Sequence, residues 1–456
     1  MKVNQFESIA LARLRTGAQP TKTQIMKRLL GLRFCFILAL LNFSASQATA
    51  DFVTPNVPAR TEVPSAAIAP ADASKLWTVS NDRDDGPGSL RYAIANAAPG
   101  DTIQFALHPR GFIQLKSTLV IDKDLTILGP GPQRLFVARS FARRTPSFSV
   151  FTVNSGFVTL AGMTILNGRA INPDGHTDNL GGGILNSGTL TVNNCMVILN
   201  SAPMEAGGRG FGGGIFSDGS LTILNSTFSL NTASAAGGGV CTFHSAAFRA
   251  EGCTVSHNFA GIQAGGVNFQ GVNGRFKNCT ISGNETAPDG TASGLLHIVF
   301  ENEAADLALS ACTVARNSGG TNAAVVVAAL PNNNGIVTRM IGTLVADNEP
   351  RNFFLDGNPA VQSLGHNLDS DGTSGFTDGV NGDIVGTLAD PIEARLGPLR
   401  NNGGPISTHA LLPGSPALDA STCFDADGAA LTTDQRGFPR PQGPACDIGA
   451  FEASRP

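Results

Sequence analysis

The chain contains four versions of one segment: GGGILNSGTLTVNNCMVILN (181–200), GGGIFSDGSLTILNSTFSLN (212–231), GGGVCTFHSAAFRAEGCTVSHN (237–258) and GGVNFQGVNGRFKNCTISGN (265–284). Two more degenerate copies follow and end at Asn348. A self-similar period of roughly 20–50 residues is typical of solenoids, in which no repeat buries its apolar face alone. The sequence therefore predicts an elongated stack of coils.

A fixed pair of positions marks each repeat. A small residue recurs at spacings of 31, 27, 26, 33 and 31, and an asparagine always follows it by five residues. These positions are Cys195, Ser226, Cys253, Cys279, Cys312 and Thr343, with Asn200, Asn231, Asn258, Asn284, Asn317 and Asn348. Because the offset is constant while the spacing varies, we expect a fixed strand and turn with variable loops. The asparagine amides should then form a structural ladder at one bend.

The apolar residues between the glycines and the asparagine alternate, as in Leu190 and Val192 or Leu221 and Ile223. Alternation with period two indicates strands and excludes helical solenoids. Short strands in every period predict an all-β fold, a right-handed parallel β-helix with coils about 4.8 Å apart. The glycine runs permit a positive φ at a tight corner.

The N-terminus has the pattern of a Sec signal peptide at residues 1–50. Lys27 and Arg28 precede an apolar run, and a small-residue cleavage pattern follows at 48–50, so the true start is expected at Met26. The apolar run is shorter than the ~20 residues of a membrane span. We therefore expect a secreted or cell-surface protein, without a transmembrane segment in the mature chain.

Removing residues 1–50 leaves 24 basic and 34 acidic residues, a net charge of −10. Such an acidic chain is not suited to bind nucleic acid or anionic membranes. Residues 51–75 are rich in proline and alanine and predict a linker. Residues 76–395 predict the β-helix, with Ser89 as N-cap of a short capping helix that covers the first coil. Residues 396–456 predict an irregular C-terminal module.

Two stretches resemble known bacterial modules. GPGSLRYAIANAAPGDTIQF (86–105) is similar to the N-terminal cap of secreted β-helix proteins of the CSLREA type, with Gly88 and Tyr92 in place of that motif's cysteine and glutamate. LGPLRNNGGPISTHALLPGSPALDA (396–420) and TDQRGFPRPQGPACDIGAFE (433–452) are similar to the choice-of-anchor Q domain. The resemblance implies a secreted right-handed β-helix without an established common activity. The repeats also resemble those of polymorphic outer-membrane proteins.

The cysteines fall into two groups. Cys195, Cys253, Cys279 and Cys312 share one inward position and are expected to be buried thiols rather than bridges. Cys423 and Cys446 flank an irregular C-terminal stretch with little core of its own. In an oxidising compartment a disulfide there would contribute ~3 kcal/mol on the chain-entropy estimate, and we predict it.

Clusters of aspartate before glycine are the candidate calcium ligands, because hard oxygen donors suit that ion. They are Asp82, Asp84, Asp85, Asp369, Asp371, Asp425 and Asp427. None precedes the distant glutamate of an EF-hand, and Asp-Gly is ordinary turn chemistry, so we expect turns and no cofactor. His244, His257 and His297 occupy different positions of their repeats and do not predict a metal site.

Function divides into two hypotheses. A polysaccharide lyase or glycosidase needs paired carboxylates, or a carboxylate-held ion beside a basic side chain. The nearest groups are Glu301, Glu303 and Asp306 on one coil with Arg275 and Lys277 on the coil before. One Trp and one Tyr, both near the cap, argue against a long aromatic glycan cleft. We therefore expect an adhesin-like scaffold, monomeric and without catalysis, whose partner is an extracellular glycan or cell-envelope component.

Overall fold

The computed structural model describes residues 74–171, 178–205, 208–245, 247–299, 304–329, 335–356 and 359–454. The expected signal peptide and nearly all of the expected linker lie outside these ranges. The described chain is all-β, a right-handed parallel β-helix as predicted, with every strand pair parallel. In the part of the chain that is described, no helix has the length and apolarity needed to cross a bilayer.

Most coils contribute one strand to each of three parallel sheets, which we call sheets A, B and C. Within a coil the chain passes through sheet C, then sheet A, then sheet B. Sheet A contains β1 (Leu76–Val79), β2 (Asp101–Phe105), β5 (Leu125–Leu128), β8 (Phe157–Ala161), β12 (Thr189–Asn193), β17 (Ser220–Leu224), β21 (Phe248–Glu251), β25 (Asn273–Lys277), β29 (Ala305–Ser310), β32 (Ile336–Ile341) and β35 (Ala360–Gly365).

Sheet B contains β3 (Gly111–Leu115), β6 (Leu135–Arg139), β9 (Thr164–Leu166), β13 (Met196–Ile198), β18 (Thr227–Ser229), β22 (Thr254–Ser256), β26 (Thr280–Ser282), β30 (Thr313–Ala315), β33 (Leu344–Ala346), β36 (Leu368–Asp369) and β37 (Ile384–Val385). Sheet C contains β4 (Leu119–Ile121), β7 (Phe151–Val153), β11 (Ile184–Asn186), β16 (Ile215–Ser217), β20 (Val240–Ser245), β24 (Val267–Gly271), β28 (Ala292–Val299), β31 (Ala323–Ala329) and β34 (Phe353–Asp356).

Short strands extend the coils beyond sheet B. They are β14 (Ser201–Ala202), β19 (Thr232–Ala233), β23 (Phe259–Ala260) and β27 (Glu285–Thr286), with β10 (Asn179–Leu180) paired to β15 (Gly210–Phe211). The alternating residues of the sheets point into one continuous bore of buried Val, Ile, Leu and Phe, where Phe248 lies 5.7 Å from Phe269 and 5.1 Å from Phe276. Burial of these apolar side chains contributes most to the stability of the fold, and it requires stacked coils because no single coil encloses the bore.

Left-handed backbone turns the chain at the corners. The turn from sheet A to sheet B has a positive φ at Gly162, Asn194, Asn225, Gly252 and Asn278 in successive coils. Asparagine and glycine adopt this conformation at the lowest cost, which explains why they recur directly after the alternating strand. In the first three repeats, the first glycine of the glycine run, such as Gly212 (φ 65°), makes the corner before sheet C, and in the fourth repeat Ala264 (φ 49°) takes this place.

The six asparagines lie at equivalent bends and form one hydrogen-bonded ladder. The Nδ2 of each of the first five donates to the Oδ1 of the asparagine in the next coil, at 2.9 to 3.1 Å. The same Oδ1 accepts the backbone N–H of the asparagine before it, at 3.0 to 3.1 Å. Asn200 to Asn317 are at most 1% exposed, so these bonds satisfy groups that water does not reach.

The first coil is closed by the helix α1 (Leu90–Asn96). Ser89 Oγ accepts the N–H of Tyr92 at 3.2 Å as its N-cap, and Leu90, Ala93 and Ile94 are buried. Asp101 links the residues after the helix to the first strand, because its carboxylate accepts from Ala98 N at 2.8 Å and from Trp77 Nε1 at 2.9 Å.

The C-terminal segment, residues 396–454, lies along the outer face of sheet B. Ser407 O accepts from Thr254 Oγ1 at 2.7 Å, Gln435 Oε1 accepts from Thr280 Oγ1 at 2.6 Å, and Ala450 N donates to Thr313 Oγ1 at 3.0 Å. These contacts lie on β22, β26 and β30, and Leu344 of β33 shares an apolar cluster with Ile448 and Phe451 of the segment. Thr254, Thr280 and Thr313, which point outward from sheet B, are therefore covered by the C-terminal segment.

The C-terminal segment has a polar interior. Glu452 and Arg440 form an ion pair at 3.1 Å with both side chains 1% exposed, and Asp434 pairs with Arg436 at 2.7 Å. The disulfide predicted between Cys423 and Cys446 is present. The residues of the signature 433–452 thus have a structural role, holding this irregular segment together without a large apolar core.

Candidate functional site

Sheet A carries a regular, partly exposed face. Its strand register places one outward residue of each coil in a single row, which we call the outer row: Thr102, Thr126, Thr159, Thr191, Thr222, Arg249, Arg275, Ala308, Arg339 and Gln362. Five threonines are followed by three arginines. Neighbouring side chains in the row are about 4.8 Å apart, the spacing of hydrogen-bonded strands.

Four charged groups form a network at the later coils. Asp306 pairs with Arg275 at 2.8 Å and accepts from Arg339 Nε and Nη2 at 2.7 and 2.6 Å. Asp427, from the C-terminal segment, contacts Arg275 at 3.0 Å and Arg339 at 3.2 Å. Two carboxylates and two guanidinium groups therefore neutralise one another and attach the segment to sheet A.

The pKa values in this network are shifted away from acid and base catalysis. Burial raises the pKa of Asp306, but the hydrogen bonds and charges of Arg339 and Arg275 outweigh it, so that the pKa is lowered overall. The pKa of Arg339 is raised, chiefly by its hydrogen bonds to Asp306. A general acid needs a carboxyl pKa raised towards neutrality and a basic arginine needs a lowered one. The network shifts the pKa of Asp306 and that of Arg339 in the opposite directions.

A second charged group lies one coil earlier. Glu251 contacts Arg249 on the same strand and Lys277 Nζ on the next coil, the latter at 2.8 Å. Burial raises the pKa of Glu251, yet its hydrogen bonds from Arg249 and Lys277 lower the pKa overall, and the carboxylate stays ionised. An open groove here is lined by Thr222, Leu224, Asn225, Arg249 and Glu251.

The structure brings together only part of the predicted enzyme site. Arg275 and Asp306 are in contact, whereas Lys277 pairs with Glu251 instead. Glu301 and Glu303 lie outside the described residues.

Six of the seven candidate calcium ligands accept hydrogen bonds from the protein itself, and the seventh, Asp82, is exposed. Asp84 Oδ1 accepts from Arg91 at 2.8 Å, Asp425 Oδ1 accepts the N–H groups of Asp427 and Ala429, and Asp427 binds the two arginines. Asp369 accepts from Asn352 Nδ2 at 2.8 Å. Within the described ranges, no three or more His, Cys, Asp and Glu side chains are arranged to hold a metal ion.

The three histidines of the repeats have unrelated positions. His297 points into the bore, hydrogen-bonds Thr338 Oγ1 through Nδ1 at 2.8 Å, and has its pKa lowered to about 3 by burial. His257 lies at a left-handed corner with φ 54°. The side chain of His244 is outside the described residues.

Sequence reasoning missed Arg249, Glu251, Arg339 and the threonine row. A signal for most of them was present, because Thr191, Thr222, Arg249, Arg275 and Arg339 each stand four residues before the small residue that marks the repeat. The contact of Asp427 with Arg275 had no such signal, since 152 residues separate them.

Comparisons with known proteins give little beyond the architecture. No protein-family model matches the sequence, and no curated protein matches it. Among solved structures, the chain is similar to pectate lyase Pel9A, with 16% identity and a TM-score of 0.47 over 83% of this chain and 97% of that one.

Proposed function

We propose that this protein is a secreted, surface-associated β-helical scaffold that binds an extracellular glycan or cell-envelope component through the outer face of sheet A, without catalysing its cleavage. The observation that carries this proposal is the state of the charged groups on that face. Asp306, Arg275, Arg339 and Asp427 are joined in ion pairs, with the pKa of Asp306 lowered and that of Arg339 raised. Groups paired in this way are not available as a general acid or a general base, and they hold the C-terminal segment against sheet A.

Secretion is supported by the composition of residues 1–50 and is compatible with the disulfide between Cys423 and Cys446. The similarity of residues 396–452 to the choice-of-anchor Q domain agrees with a surface-associated module. The repeated, hydrogen-bonded coils supply a stiff support on which one face is presented at a constant spacing.

A binding role also fits the shape of sheet A. Its outer row presents threonine hydroxyls, which both donate and accept hydrogen bonds, as sugar hydroxyls do. Sheet B does not offer an equivalent face at β22 to β33, because the C-terminal segment occupies it.

A glycan-array screen with the purified mature protein tests this function. The same samples are incubated with the bound glycans and assayed for new reducing ends and for unsaturated uronate. Binding without product is the expected result. Product formed by the wild type and lost in Glu301→Gln or Asp306→Asn would establish the alternative, a polysaccharide lyase or glycoside hydrolase.

A further inference from the structure

We propose that the groove beside Arg249 binds an extended anionic polysaccharide, laid along the solenoid axis over the threonines of the outer row, with a carboxylate of the polymer on Arg249. This inference rests on the proposed function and names its ligand class. It is carried by the local charge, the groove and the register of sheet A.

The charge at the groove is positive although the mature chain is acidic. Arg249 and Lys277 share the single carboxylate of Glu251, which leaves one positive charge in excess. The side chain of Arg249 is 56% exposed, against 29% for Glu251 and 26% for Lys277. A guanidinium carries five N–H donors in a planar fork, so an ion pair through Nη2 leaves it able to bind a second carboxylate.

The neighbouring network provides an internal comparison. Arg275 and Arg339 also belong to the outer row, but Asp306 and Asp427 balance their two charges with two carboxylates. The C-terminal segment thus supplies Asp427 where an anion would otherwise bind. Of the three arginines in the row, Arg249 is the one whose surroundings keep a surplus of positive charge.

The groove opens onto a surface suited to an extended chain. Thr222 lines it, and the row continues through Thr191, Thr159, Thr126 and Thr102, all of them partly exposed. At about 4.8 Å per coil, these five threonines span about 20 Å, the length of several sugar units. Each threonine presents a hydroxyl for hydrogen bonds and a methyl group that can pack on the apolar face of a ring.

A single surplus cation with a row of hydroxyls fits a polymer with well-separated charges and many hydroxyl groups. A surface that binds nucleic acid needs several basic side chains, because each contacted phosphate is neutralised by its own Lys or Arg. The net charge of −10 in residues 51–456 opposes nucleic acid further. A polyuronate carries carboxylates spaced along a chain of hydroxyl groups, so it matches both the surplus cation and the row of threonines.

The test uses alginate, a linear polyuronate, and its propylene-glycol ester, in which the carboxylates are capped. Isothermal titration of the purified mature protein should show at least tenfold tighter binding of alginate than of the ester, with an affinity that falls as salt rises. Arg249→Gln should weaken alginate binding about tenfold, and Thr191→Val several-fold. Glu251→Gln should tighten it, because the competing carboxylate is gone. The control Arg143→Gln changes an exposed arginine outside sheet A and should have no effect.

Thermal unfolding of each variant checks that the fold is intact. The proposal is overturned if alginate and its ester bind equally, or if Arg249→Gln and Glu251→Gln leave alginate binding unchanged while both fold. In either case, glycan binding on the array would still support the proposed function. If no polysaccharide binds in the array or the titration, the proposed binding of glycan fails together with this inference.

Discussion

Replacing Asn258 by alanine in the middle of the asparagine ladder should strongly destabilise the β-helix. The Oδ1 of Asn258 accepts the backbone N–H and the Nδ2 of Asn231, both at 3.0 Å. Its Nδ2 donates to Phe228 O at 3.0 Å and to Asn284 Oδ1 at 2.9 Å. The side chain therefore takes part in four hydrogen bonds while being 1% exposed.

The expected loss of stability follows from the hydrogen bonds that remain after Asn258→Ala. Asn231 Nδ2 keeps its bond to Val197 O, and Asn284 Oδ1 keeps the N–H of residue 258, but the backbone N–H of Asn231 loses its acceptor. A buried unsatisfied N–H costs about 1–3 kcal/mol, and the weakened bonds add a smaller amount. We expect Asn258→Ala to lower the free energy of unfolding by about 2–4 kcal/mol.

Asn348→Ala is the matched control at the ladder's end. Asn348 makes the same bonds to Asn317 but is half-buried, so water can replace its amide. The loss there should be about 1 kcal/mol.

Urea unfolding measures both variants, followed by far-ultraviolet circular dichroism for the strands and by the fluorescence of Trp77 for the capped end. Coincident transitions justify a single free energy. Equal losses for Asn258→Ala and Asn348→Ala, or a loss below about 1 kcal/mol at Asn258, would contradict the view that buried amides stabilise the stack.

Three other predictions concern protonation, the disulfide and the thiols. Burial lowers the pKa of His409 to about 4 and that of His297 to about 3, so the unfolded chain takes up protons first as the pH falls through about 6.5. The free energy of unfolding is therefore unaffected by these two groups above that pH, and between pH 7 and pH 5 each of them should lower it by about 2 kcal/mol. Urea unfolding at both pH values should show a smaller decrease for His409→Gln than for the wild type. Changing both Cys423 and Cys446 to serine should cost about 3 kcal/mol by the loop-entropy estimate, and limited proteolysis should then cut first within residues 396–454, whereas cleavage elsewhere would argue against a local role. The free cysteines are buried, with the pKa of Cys195 raised to about 12, so mass spectrometry should find them unalkylated in the native protein and fully alkylated after unfolding; rapid native labelling would disprove their burial.

Much of the fold could be read from the sequence because its determinants are local and repeated. The period-two alternation in Leu190 and Val192 sets which residues enter the bore, and the fixed offset from Cys195 to Asn200 sets one strand and one bend. Repetition then brings equivalent residues together, since each coil stacks on the last in register.

The candidate site was only partly predictable. Arg275 and Asp306 could be grouped from the sequence because they lie in adjacent coils, whose register is set by the repeat, and the two side chains are in contact. The sequence did not indicate that they are joined to Arg339 and Asp427, which turns a candidate acid and base into a neutral ion-pair network. Whether a charge is paired depends on all the side chains around it.

The sequence by itself determined a right-handed stack of coils, the asparagine bends and the Cys423–Cys446 disulfide. Only the tertiary structure decided that residues 396–454 run back over sheet B, with Gln435 on Thr280 and Asp427 on Arg275. The physical reason is the separation of the partners along the chain. Contacts between neighbouring coils recur with the period and leave a pattern, whereas a contact across about 150 residues occurs once and leaves none.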